Sequence, residues 1–190
     1  MPTIVHEFAW PDRVIVGTIG VPGERTFYLQ VRTGKQIVSI ALEKQQSALL
    51  AEKIDEILDQ LIKLEGNPFS IPTSTPVELV DNDQLEAVEE QFRTGTMSLG
   101  WDPTTAQVVI EAYPLIDADA DADADADAIE ESLDEDGTDA PEMLLVRMPV
   151  GTARAFAKRT REVVGAGRPI CVLCGYPIDA DGHVCTVPEV

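Results

Sequence analysis

Residues 36–65 read QIVSIALEKQQSALLAEKIDEILDQLIKLE. The opening part, Gln36 to Leu42, is a short run of β-branched and apolar side chains and reads as a strand. From Glu43 to Glu65 the period changes. Leu50, Ile54, Ile57, Leu58, Leu61 and Ile62 recur at helical spacing and form one apolar stripe, with Glu and Lys on the other face. Gly66-Asn67-Pro68 supplies the stop. A strand that feeds straight into an amphipathic helix places that helix on a sheet, and packing there accounts for the stripe without a cofactor.

Working outward, residues 4–43 read as a run of strands. Val14 to Ile19 is rich in β-branched residues, Val21-Pro22-Gly23-Glu24 is a turn, and Thr26 to Arg32 is the next strand. Thr33-Gly34-Lys35 is a tight hairpin turn into Gln36, and short loops imply antiparallel pairing. Downstream, residues 67–80 form a Pro-, Ser- and Thr-rich connector, followed by a short acidic helix at about residues 83–90. Strands follow at Phe92–Trp101 and Ala106–Ile116, joined at Asp102-Pro103-Thr104, and again at Met143–Met148. A second helix spans residues 151–164, with Ala153, Phe156, Thr160 and Val163 on its buried side. The strand-then-helix of Met143–Met148 echoes that of Gln36–Leu42, which suggests a duplicated sheet-plus-helix unit. The fold class is α+β, a mainly antiparallel sheet with two packing helices. Residues 1–166 form this domain and residues 167–190 a small C-terminal metal module.

The formal charge of −20 must be divided before it is used. Residues 117–139 carry twelve acids and no base, opening with strict Asp-Ala alternation from Asp117 to Ala128. Without them 22 acids face 14 bases, a net of −8, so the folded part is moderately acidic. Long-range attraction to nucleic acid or an anionic membrane is disfavoured. The tract itself repels, favours no helix and can build no core, so residues 117–141 are expected to be a disordered acidic insertion. No apolar run approaches the ~20 residues that span a bilayer. The N-terminus lacks the basic and apolar regions of a signal peptide. Three clustered cysteines suit a reducing compartment, so the expected location is the cytoplasm.

Every cysteine lies in the last twenty residues. Cys171-Val172-Leu173-Cys174 is followed, after eight residues, by His183-Val184-Cys185. Thiolate and imidazole are the donors Zn²⁺ prefers, and four of them close a tetrahedral structural site. In Cys-x-x-Cys the backbone turns as a knuckle, so both sulfurs face one ion. Asp181-Gly182 marks a second turn that presents His183 and Cys185 from alternate residues of one strand. One structural zinc on Cys171, Cys174, His183 and Cys185, in a zinc-ribbon-like module, is the expectation. Four protein ligands leave no open coordination position, which argues against a catalytic zinc. A thiol-redox pair at Cys171 and Cys174 is the alternative. It fits less well, because such pairs sit at a helix N-terminus whereas this one follows a helix.

Arg154, Lys158 and Arg161 fall at i, i+4 and i+7 on the second helix, on the side away from Phe156. With Arg147 and Arg168 they form a candidate anion or partner patch, and nucleic-acid binding through this helix is a further alternative. The sequence shows no nucleophile–base pair outside the metal ligands. The reading is therefore a non-enzymatic interaction or adaptor protein with an unknown protein partner and no membrane attachment.

Several stretches together resemble one family. They are Arg13-Val14-Ile15-Val16-Gly17-Thr18-Ile19-Gly20, Pro22 to Gln30, Phe92-Arg93-Thr94-Gly95-Thr96-Met97, Ile110-Glu111-Ala112, and Gly167-Arg168-Pro169-Ile170-Cys171 through His183-Val184-Cys185. The resemblance is to the actinobacterial family catalogued as domain of unknown function 3090, and it covers nearly the whole chain. It implies a bacterial cytoplasmic protein and implies no activity. The chain departs from the family in its long Asp-Ala repeat and in ending Thr186-Val187-Pro188-Glu189-Val190, where relatives continue with Pro-Arg and Asn-Gly.

Overall fold

The computed structural model describes residues 3–116, 141–167, 171–174, 178 and 182–185. Along the chain run β1 (Ile4–Phe8), β2 (Arg13–Ile19), β3 (Thr26–Thr33), β4 (Gln36–Leu42) and α1 (Lys44–Ile62). A 3₁₀ turn at Val77–Leu79 precedes β5 (Glu90–Asp102), β6 (Gln107–Pro114), β7 (Glu142–Pro149) and α2 (Val150–Gly165). The acidic tract connects β6 to β7, and the disorder expected of it falls outside the described residues, which resume at Pro141. Among the described residues no helix is long and apolar enough to cross a membrane.

All the strands join one sheet in the order β1-β7-β6-β5-β4-β3-β2. The α+β class holds. Hairpin turns make most pairs antiparallel, whereas β4–β5 and β1–β7 are parallel. The duplication is visible in the topology. Three antiparallel strands and a helix, β2-β3-β4-α1, are followed by the same arrangement in β5-β6-β7-α2.

The sheet cannot lie flat. Its edge strands β1 and β2 are separated by six inter-strand gaps, about 29 Å at about 4.8 Å each. Yet only Ala9-Trp10-Pro11-Asp12 joins them, a reach of about 17 Å. The sheet therefore coils strongly and brings its edges together. Asp12 then donates its N–H to Arg32 O at 2.8 Å, and Gln107 Nε2 donates to Ala9 O at 2.8 Å.

Both helices pack on the inner face of this coil. Leu29, Ile40, Ile110, Val146 and Met148 from the strands meet Leu50, Ile54, Leu58, Ala153, Phe156 and Ala157 from the helices in one apolar core. The β-period sends alternate residues to that face. Glu43 N–H donates to Gln46 Oε1 at 2.8 Å, which closes the start of α1.

Residues 83–89 are not the acidic helix expected from their charge. They run without helix as a strap over the outer face of β2–β4, because their backbone is held by side chains of the sheet. Glu86 N–H donates to Gln30 Oε1 at 2.8 Å, and Gln30 Nε2 donates to Glu86 O at 3.2 Å. Arg13 clamps Asp81 through Nε at 2.5 Å and Nη2 at 3.0 Å, and Nη2 also reaches Gln84 O. Leu85 packs directly over Gly17, so closely that a Cβ built there would lie 2.5 Å from Leu85 Cγ. These tertiary contacts outweigh a weak local helix propensity.

Candidate metal centre

The site begins where α2 ends. Ala166 N–H donates to Glu162 O, and the chain leaves the helix through Gly167 into Cys171. Cys171-Val172-Leu173-Cys174 forms a turn. The backbone N–H groups of Cys174 and Leu173 point at the Cys171 sulfur, with the thiols of Cys174 and Cys185 beside it, and together they pull that thiol down to about 7 against the cost of its desolvation. The knuckle thus favours a thiolate before any ion is considered.

The second pair arrives after Gly182, whose φ of +91° suits a residue without a Cβ. Gly182 forms an isolated bridge and residues 183–185 lie outside any strand, so His183 and Cys185 do not share the regular strand expected of them. They still converge. One donor atom from each of Cys171, Cys174, His183 and Cys185 lies within 4.8 Å of all the others. Cys174 Sγ and His183 Nε2 are 3.3 Å apart. None of the cysteines is in a disulfide. Cys171 is buried, while Val172, Leu173 and Val184 between the ligands are exposed. A quartet of sulfur and imidazole donors, with Cys171 buried and the other three half-buried, could hold a metal ion.

The basic residues are arranged differently from the expected open patch. Arg154 is buried, its side chain only 7% exposed, between the two helices. Its Nη1 donates to Asp55 at 2.9 Å, its Nη2 to Asp59 at 2.5 Å and its Nε to Pro72 O at 3.1 Å. Arg161 also pairs with Asp55, and Lys158 with Glu162. Arg147 lies on the opposite face of the sheet, where it pairs with Asp102 at 2.9 Å and approaches Glu7 at 3.9 Å. Arg168 is outside the described residues. Arg154 and Arg161 reach across to α1, where Asp55 and Asp59, four apart, supply the complementary charge, whereas Lys158 stays with Glu162 on its own helix. That spacing was a signal in the sequence for helix pairing.

The chain belongs to the family described as Protein of unknown function (DUF3090), whose model matches residues 6–185. The match reaches from β1 to the last cysteine of the quartet. No curated protein and no solved structure matches.

Proposed function

We propose that this chain is a cytoplasmic zinc-binding interaction protein, in which one structural Zn²⁺ on Cys171, Cys174, His183 and Cys185 closes the module of residues 167–190. The observation that carries the reading is the convergence of four donor atoms within 4.8 Å. Around tetrahedral zinc, sulfurs sit about 3.8 Å apart and a sulfur–nitrogen edge is about 3.5 Å. The 3.3 Å between Cys174 Sγ and His183 Nε2 is close to such an edge. Three thiolates and one imidazole select zinc over magnesium or calcium, which take oxygen ligands.

The role of the ion is structural because protein ligands fill the tetrahedron, whereas a catalytic zinc keeps a position for water or substrate. The turn leaves Val172, Leu173 and Val184 in solvent, so little apolar burial holds it, and metal binding energy becomes folding energy there. Exposed apolar side chains around a metal-fixed turn suit contact with another protein, which supports the adaptor role. Anion binding through residues 151–164 is less well supported, since Arg154, Lys158 and Arg161 each have a carboxylate partner.

A thiol-redox role for Cys171 and Cys174 is the second reading, favoured by the lowered Cys171 thiol. Thiol counting separates the two. The zinc reading expects all three thiols to be protected as purified and to react only after chelation. Thiols that react fully before chelation, with ready formation of a Cys171–Cys174 disulfide, would support redox exchange instead.

A further inference from the structure

The two halves of the sheet can be aligned residue by residue. Setting Leu42 against Met148, each the last core residue of its strand before a helix, matches Ile40 with Val146 and Val38 with Leu144. Strand pairing carries the alignment across the sheet, matching Leu29 with Ile110 and Val16 with Leu99. On the outer face the same register sets Gly17 against Gly100, Gln30 against Glu111, Ser39 against Leu145 and Ala41 against Arg147.

These equivalent faces have different fates. In the first half the strap covers the face, with Leu85 over Gly17 and Glu86 on Gln30, and Gln30, Ser39 and Ala41 are at most 2% exposed. In the second half no described atom lies within 4 Å of a Cβ built at Gly100. Ser98 is exposed there, and Glu111, Leu145 and Arg147 are half-buried. Val5 and Tyr113 extend the apolar surface at 45% and 38% exposure.

The charges are also inverted. The covered face presents Arg13 and Arg32 to the acids Asp81 and Glu86 of its strap. The open face carries Glu111, Glu7 and Asp102, and its Arg147 is already engaged by Asp102. Its complement is a basic strap. The chain's own acidic tract, with twelve acids and no base, has the wrong sign. Where Gln30 holds both backbone groups of Glu86, Glu111 takes Ser98 Oγ at 2.9 Å and Tyr113 OH at 3.2 Å on Oε2, and its other oxygen can accept an N–H.

The geometry points to a docking groove on the outer face of β5–β7 for an extended segment of a partner protein, which seats a leucine-sized side chain over Gly100 and a Lys or Arg against Glu111. This inference rests on the adaptor reading for its partner but not on the metal. The chain supplies its own precedent for this mode of recognition in Leu85 over Gly17.

The test uses fluorescence anisotropy with a labelled peptide of the strap sequence, residues 80–90, carrying lysine in place of Asp81, Asp83 and Glu86. The full chain should bind this peptide and not the native acidic one. Gly100→Leu should weaken binding at least tenfold, because the new side chain occupies the groove, and should neither lower the melting temperature nor change the metal content. Glu111→Gln should weaken it severalfold at low salt. Equal binding of both peptides, or indifference to Gly100→Leu, overturns the proposal. So does a wild-type dimer that Gly100→Leu makes monomeric, which would assign the face to a second copy. A tenfold gain in peptide affinity on deleting residues 117–139 would overturn it in favour of the chain's own tract. Binding of neither peptide overturns it as well, and with one metal still bound would leave the zinc reading standing.

Discussion

The contact between Leu85 and Gly17 gives a prediction that can be worked through. In Gly17→Ala the new Cβ would lie 2.5 Å from Leu85 Cγ and 2.8 Å from Cδ2, closer than methyl contacts allow. Gly17 lies within β2, and no left-handed φ is found there, so alanine brings no backbone strain. Removing a glycine from a strand by itself stabilises by about 0.4–1 kcal/mol. Overpacking a well-filled contact costs about 1–3 kcal/mol. The net expectation is a loss of about 1–2 kcal/mol. In a chain of this length that lowers the melting temperature by about 2–8 °C. Gly100→Ala, at the equivalent position with open space above it, should be neutral or stabilising. Leu85→Ala removes the clashing atoms, so the double variant should be less destabilised than the two single changes sum to, with a coupling of about 1 kcal/mol. Thermal or urea unfolding of the four variants is the assay. Equal effects of Gly17→Ala and Gly100→Ala would refute the strap contact and the asymmetry argued from it.

Other outcomes follow from the ion pairs and the ligands. Arg154→Met should cost about 2 kcal/mol in urea unfolding, because it removes the buried guanidinium's hydrogen bonds to Asp55, Asp59 and Pro72 O and leaves Asp55 with Arg161 alone; Lys158→Met, in an exposed i,i+4 pair, should cost under about 0.5 kcal/mol. Asp81 is held below its usual carboxylate range by its hydrogen bonds from Arg13. Its folded value lies below its unfolded one, so the pair stabilises above about pH 4 and that contribution is lost as pH falls through the folded value. The stability gap between wild type and Asp81→Asn, about 1–2 kcal/mol at pH 7, should therefore shrink in melts taken at progressively lower pH below about 4. Cys174→Ser should release bound metal and raise the reactivity of Cys171 and Cys185 toward a thiol reagent, while circular dichroism of the sheet and helices stays unchanged.

Much of this was legible in the sequence, for reasons that differ by element. The hairpins β2-β3-β4 and β5-β6 follow from local pattern and turn residues, and the stripe on α1 follows from its period. The metal quartet follows from donor type and spacing alone, because the knuckle folds locally. The strap was not legible. Its conformation is fixed by Gln30, Gly17 and Arg13, which lie more than fifty residues away, and its acidic composition pointed to a helix. Nor could the pattern show that β1 pairs in parallel with β7, since that contact joins the two ends of the domain. The burial of Arg154 was hidden because a helical wheel shows which residues share a face but not that the face opposite the core meets a second helix.

Whether a zinc ion joins the four C-terminal donors is decided by native mass spectrometry of the full chain purified without added metal, alongside the same sample after denaturation. A bound structural zinc gives a native mass higher by one zinc ion per chain, less the protons it displaces, which falls to the mass of the reduced polypeptide when the fold is destroyed. A native mass equal to that of the bare chain, or one lower by the two hydrogens of a disulfide, would contradict it.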